Sequence, residues 1–119
     1  MLSYGYNKEA ISFYETVLEQ YPNNNYLKYN IFVNSKFNKK NNKNLKKVFY
    51  DNLVLINLFP NNHILHNNFY NLSKKLEYRE WISFFEIILF KKDSLNNNLN
   101  ELYKLTEDYN LKKIINIYI

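Results

Sequence analysis

The stretch Glu9-Ala10-Ile11-Ser12-Phe13-Tyr14-Glu15-Thr16-Val17-Leu18-Glu19-Gln20-Tyr21-Pro22-Asn23-Asn24 carries the clearest structural signal in the chain. Ala10, Tyr14, Val17, Leu18 and Tyr21 recur at helical spacing and predict one apolar face. Pro22 ends the helix, because the residue before a proline is driven out of the α region. Asn23-Asn24 supply a turn and a cap for the next helix. The same punctuation returns at Pro60-Asn61-Asn62. The stretch therefore reads as one arm of a helical hairpin and the turn into the next.

On either side of it, residues 1–5 are a short lead-in and the first helix runs from about Tyr6 to Tyr21. A second helix ends near Phe37, before a polar, basic loop from Asn38 to Asn44. A third spans about Leu45 to Phe59, and a fourth about His63 to Leu76. Glu77-Tyr78 link into a fifth, Arg79 to Lys92. An Asn-rich turn, Asp93 to Asn98, precedes a sixth helix that Asp93 or Ser94 caps and that ends near Tyr109. Asn110 breaks it, and Leu111 to Ile119 form a last apolar helical piece.

Composition agrees with helices. The 119 residues contain one glycine, two prolines and 46% apolar residues. A β-sandwich needs tight turns that this chain lacks the glycines to make, and the apolar content is too high for disorder. The net charge of +5 is carried almost wholly by lysine. It admits nucleic acid or an acidic partner, although Asn, Lys, Ile, Tyr and Phe are also what A/T-rich codons supply. With no cysteine there is no disulfide framework, thiolate metal site or Cys nucleophile. The start has neither a charged n-region nor an apolar h-region, and the run Trp81 to Phe90 is too short to span a bilayer. An intracellular protein, nuclear or cytoplasmic, is expected.

Internal repetition is the strongest signal. The aromatic-acid pairs Tyr14-Glu15, Tyr50-Asp51 and Phe85-Glu86 recur at 36 and 35 residues. Glu9 to Glu15 matches Glu80 to Glu86 almost residue for residue. A period near 35 residues means stacked helix hairpins, since one hairpin cannot bury its apolar face alone.

The segment Gly5-x3-Glu9-Ala10-Ile11-x2-Tyr14-x3-Leu18-x3-Pro22-Asn23-Asn24 resembles the second helix of a tetratricopeptide repeat. Trp81-x3-Phe85 and Ile114-x3-Tyr118 echo the same element, and Tyr29-Asn30-Ile31 resembles the first helix. The half-a-TPR repeat fits about as well, through the aromatic-acid pairs and the aromatics Tyr26, Tyr29 and Phe32 spaced three apart. The tetratricopeptide Trp and Gly positions are not matched, and Phe32 or Tyr70 stands where a small residue usually lets helices approach.

The resemblance implies an all-α, right-handed superhelical stack of antiparallel hairpins: an α-solenoid of about three repeats and roughly seven helices. The chain is then a single domain over 1–119, with repeat fragments at about 6–38, 44–76 and 78–109 and a partial one at 111–119. It would start at the second helix of a repeat, so a longer solenoid or a partner over the open end is expected. The implied function is a non-enzymatic scaffold for protein–protein interaction, and the half-a-TPR type implies an RNA-processing complex. Two other classes are an RNA-binding, pentatricopeptide-like array, which shares the period, and a structural subunit of a large assembly.

The implied groove is lined by first helices. By position, Tyr29, Asn30, Val33, Asn67, Asn68, Asn71 and Lys74 would face it, where Asn amides can clamp a peptide backbone. The lysine clamp for chaperone carboxylates is not matched, since Tyr29 and Asn67 stand there. Lys39, Lys40, Lys43, Lys46 and Lys47 form the densest basic run, either a solvated loop or a phosphate-contacting patch. His63 and His66 are three apart near a helix start and read as surface histidines, without a third metal ligand. No catalytic constellation, P-loop or dinucleotide fingerprint is present, and no cofactor is expected. The sequon Asn71-Leu72-Ser73 falls inside a predicted helix and reads as a chance match.

Overall fold

A computed structural model describes residues 8–34 and 42–119. Every regular element among them is helical: α1 (Lys8–Gln20), α2 (Asn25–Asn34), α3 (Asn42–Asn52), α4 (Val54–Leu58), α5 (His63–Leu76), α6 (Arg79–Phe90), α7 (Leu95–Leu105) and α8 (Tyr109–Tyr118). A short 3-10 turn, Lys92–Ser94, joins α6 to α7. The expected lead-in, the end of the second helix and most of the basic loop lie outside the described residues.

The two proline–asparagine signals act alike. Asn24 Oδ1 accepts from the Leu27 amide at 3.0 Å, and Asn62 Oδ1 from the Leu65 amide at 3.1 Å. Each satisfies one of the amides a helix start leaves without an intrahelical partner. Asp108 repeats the device for α8, accepting from Leu111 at 3.1 Å. At the other end of α5, the Tyr78 amide reaches the Ser73 carbonyl at 3.0 Å, and Glu77 takes left-handed angles (φ 59°). This is a Schellman-type ending with glutamate at the position glycine usually fills.

Several expected boundaries are corrected. Asn42 already opens α3, so residues 42–44 are helical rather than loop. The third helix does not run unbroken to Phe59. Asn52 Nδ2 takes the Val48 carbonyl at 2.7 Å, and the Leu53 amide tightens to Tyr50 O at 3.4 Å. Helix α7 starts at Leu95 instead of after Asn98, and the Ser94 side chain makes no cap bond to it; its hydroxyl accepts from Asn98 Nδ2 at 2.8 Å. The break before α8 falls at Thr106–Asp108; Asn110 is inside the helix. Tyr21, expected on the apolar face of the first helix, is exposed.

Helix α5 sits at the centre. It packs on α6 most extensively and also on α2 and α3, while α1 packs on α2 and α7 joins α6 to α8. Helix α8 returns to touch α4. A chain of aromatic rings runs through a core that leucine and isoleucine otherwise fill. Phe32 meets Phe69 at 4.4 Å, Phe49 meets Trp81 at 5.1 Å, Phe69 stacks on Phe85 at 5.7 Å, and Phe84 meets Phe85 edge-on at 4.9 Å. Such offset and edge-to-face pairs suit the ring quadrupole and add to the area they bury.

The Tyr14 side chain lies outside the described ones, and between Tyr50-Asp51 and Phe85-Glu86 the phase does not survive in three dimensions. Phe85 is buried, but Tyr50 is 44% exposed and its neighbour Phe49 enters the core. The near-identical segments in α1 and α6 also differ in surroundings: Phe84 is buried, whereas its counterpart Phe13 is 64% exposed. Helix α6 has packed helices on both sides, whereas among the described residues α1 packs chiefly on α2.

Candidate functional site

The residues expected to line a groove divide into two groups. Tyr29, Val33 and Asn68 serve contacts between helices. Tyr29 Oη accepts from Asn62 Nδ2 at 2.8 Å, and its ring meets Phe59 at 5.2 Å. Val33 packs against the core, and Asn68 Nδ2 donates to the Phe32 carbonyl at 3.2 Å, tying α5 to α2. Asn30 is half-buried, and its carbonyl accepts from Asn34 Nδ2. Asn67, Asn71 and Lys74 are exposed. At spacings of four and three they share the outer stripe of α5.

That stripe is bordered by an aromatic pair. Tyr70 packs edge-on against Phe90 at 5.8 Å and donates its hydroxyl to Glu86 Oε2 at 2.9 Å. The hydrogen bond to Glu86 raises the Tyr70 pKa. Lys74 Nζ lies 4.3 Å from the Tyr70 ring centroid, in cation–π range. Phe90 is 66% exposed. Sequence periodicity did not single it out, and its position at the last residue of α6 was the available signal. Ser73, in the sequon, is buried and donates to the Phe69 carbonyl at 2.7 Å.

The basic run is only partly described. Lys39 and Lys40 lie outside the described residues. Lys43 belongs to α3, and Lys46 and Lys47 are exposed on that same helix. Lys47 pairs with Asp51 at 3.4 Å on the surface. An exposed pair of this kind contributes little stability.

The histidines are not a surface pair. His63 is exposed, but His66 is only 5% exposed. Tyr118 donates its hydroxyl to the Pro60 carbonyl at 2.6 Å, and His66 Nε2 lies 3.0 Å from the same oxygen. The tyrosine proton is committed to Pro60, so the tyrosine oxygen accepts and the neutral ring carries its proton on Nε2. Burial lowers the His66 pKa to about 4; the Pro60 carbonyl opposes this, while His63 and Lys92 add to it. Burial also raises the Tyr118 pKa. Nothing in the sequence marked this contact, because its partners are 52 residues apart.

His66 and Tyr118 line a cleft of about 630 Å³ bounded by the α4–α5 turn, the start of α5, the α6–α7 junction and α8. A cleft of similar volume lies between α1, α2 and α3, lined by Glu15, Lys28, Lys47 and Asp51 among others. Among the described residues no group of three or more His, Cys, Asp or Glu could hold a metal ion. No described helix is long and apolar enough to cross a membrane.

Compared with family models, curated proteins and solved structures, the chain matches none.

Proposed function

We propose that the chain is a non-enzymatic helical scaffold that binds an extended segment of a partner protein along the outer face of α5. The supporting observation is the exposed stripe of Asn67, Asn71 and Lys74 beside Tyr70 and Phe90. Primary amides offer a donor and an acceptor at fixed separation, which suits a peptide backbone. Phe90 supplies the large, exposed apolar contact that an interface centre uses. In this reading the hairpins belong to a right-handed superhelical stack of the tetratricopeptide or half-a-TPR kind. The side-by-side packing of α1–α2, α5–α6 and α7–α8 is consistent with it.

The test is affinity purification of the tagged full chain from its native cell, with and without RNase. Protein partners that survive RNase, and are lost from a variant carrying Asn67→Ala, Asn71→Ala and Phe90→Ala, support the reading. Partners that disappear with RNase, together with bound RNA, overturn it in favour of the lysines of α3.

A further inference from the structure

We infer that the cleft over His66 and Tyr118 is a binding site for a small organic anion with an apolar body, such as a medium-chain carboxylate. This does not rest on the scaffold reading, because the cleft lies between the start of α5, the α6–α7 junction and α8 and includes none of Asn67, Asn71 and Lys74.

Three observations carry it. The first is volume: about 630 Å³ lies within the range of ligand clefts and far exceeds the space a single water needs. The second is charge. Lys92 lines the cleft beside the His63 ring and the amide of Asn61, and none of the described residues lining it is acidic. The third is the division of surfaces: Ile88, Leu89 and Leu95 form an apolar wall beside these polar groups. One anionic end and one apolar end are what such a cleft is complementary to. A free phosphate would leave the wall unused, and an alcohol of the same length would leave the lysine unused.

The His66–Tyr118 side of the cleft is held by contacts of its own. The Tyr118 hydroxyl is held by Pro60, and the neutral His66 ring packs 6.0 Å from the Tyr118 ring and 6.4 Å from Phe85.

The experiment titrates the full chain with octanoate, 1-octanol and inorganic phosphate, following the histidine ring and Tyr118 ring NMR resonances. Saturable shifts at His63, His66 and Tyr118 are expected with octanoate, and weaker ones with the other two. Lys92→Gln is expected to weaken octanoate binding about two- to five-fold, the size of an exposed charge contact. Lys104→Gln, on the exposed side of α7, should leave it unchanged. Equal affinity for octanoate and octanol, or no effect of Lys92→Gln, would overturn the anion site. Equal affinity for octanoate and phosphate would overturn the apolar wall. Absence of saturable shifts would overturn the site altogether.

Discussion

His66 Nε2 lies 3.0 Å from Tyr118 Oη, and through that oxygen α8 is tied to the Pro60 carbonyl at the α4–α5 turn. One hydroxyl thus closes the last helix onto the middle of the chain.

The buried histidine makes the fold acid-sensitive. Its pKa is about 4 in the folded protein against 6.5 for the free side chain. Between those values the unfolded chain binds the extra proton, so stability is full above about pH 6.5 and falls as pH drops toward 4. A difference of this size corresponds to about 3 kcal/mol, at 1.36 kcal/mol per pKa unit. Urea denaturation from pH 7.5 to 4 should show that loss. His66→Gln should remove it while keeping the general acid dependence of the carboxylates. An identical pH profile for the two proteins would refute the assignment.

Removing the Tyr118 hydroxyl should cost stability at neutral pH. Tyr118→Phe leaves the Pro60 carbonyl and the His66 ring without their shared partner, a loss of about 1–3 kcal/mol for buried polar groups. A fall in the urea midpoint with an unchanged slope is the expected result. Deleting 111–119 is a harsher version. It strips Leu111, Ile114 and Ile115 from the core, and the expected result is aggregation or loss of a partner. A soluble, fully folded truncation would argue that α8 is dispensable.

Phe49 and Tyr50 offer a direct check on phase. Phe49 is buried and touches Phe69, Tyr78 and Trp81. Phe49→Ala should cost about 3–5 kcal/mol, and Tyr50→Ala, at a half-exposed position, about 1 kcal/mol or less. The reverse order would restore Tyr50-Asp51 as the equivalent of Phe85-Glu86.

Asp108 holds two elements at once. Oδ1 caps α8, and Oδ2 accepts from Trp81 Nε1 at 3.0 Å. Thr106 braces the same turn, donating to Glu80 at 2.7 Å and accepting from the Asp108 amide. Asp108→Ala loses the cap and leaves a buried indole N–H unpaired, so about 2–3 kcal/mol should be lost. Trp81 is the only tryptophan, so its emission reports the change directly. Unaltered emission and stability would sink the coupling.

Glu77 sits where the backbone wants glycine. Its positive φ costs a non-glycine residue roughly 1 kcal/mol, an amount partly offset by the larger unfolded-state entropy of glycine. Glu77→Gly should therefore hold or raise the thermal midpoint. A clear drop would mean that the glutamate side chain contributes something this geometry does not contain.

The ends of the helices were legible wherever the determining chemistry is local. Pro22 and Pro60 restrict the residue before them, and Asn24 and Asn62 accept from amides three positions on. Those effects need no knowledge of the rest of the fold, and they set the start of α5. The all-helical class was legible for a similar reason, since a chain with one glycine has little with which to make tight turns. The break at Leu53 and the start of α8 at Tyr109 were not. The start of α8 depends on which acceptor wins an amide, Asp108 at Leu111. Tertiary packing alone chose Phe49 over Tyr50, buried Phe84 while leaving Phe13 exposed, and turned His66 from an apparent surface histidine into a buried neutral ring. Periodicity states that a helix has an apolar face; which residue of that face reaches the core depends on the neighbour it meets. For His66 that neighbour is Tyr118, 52 residues away.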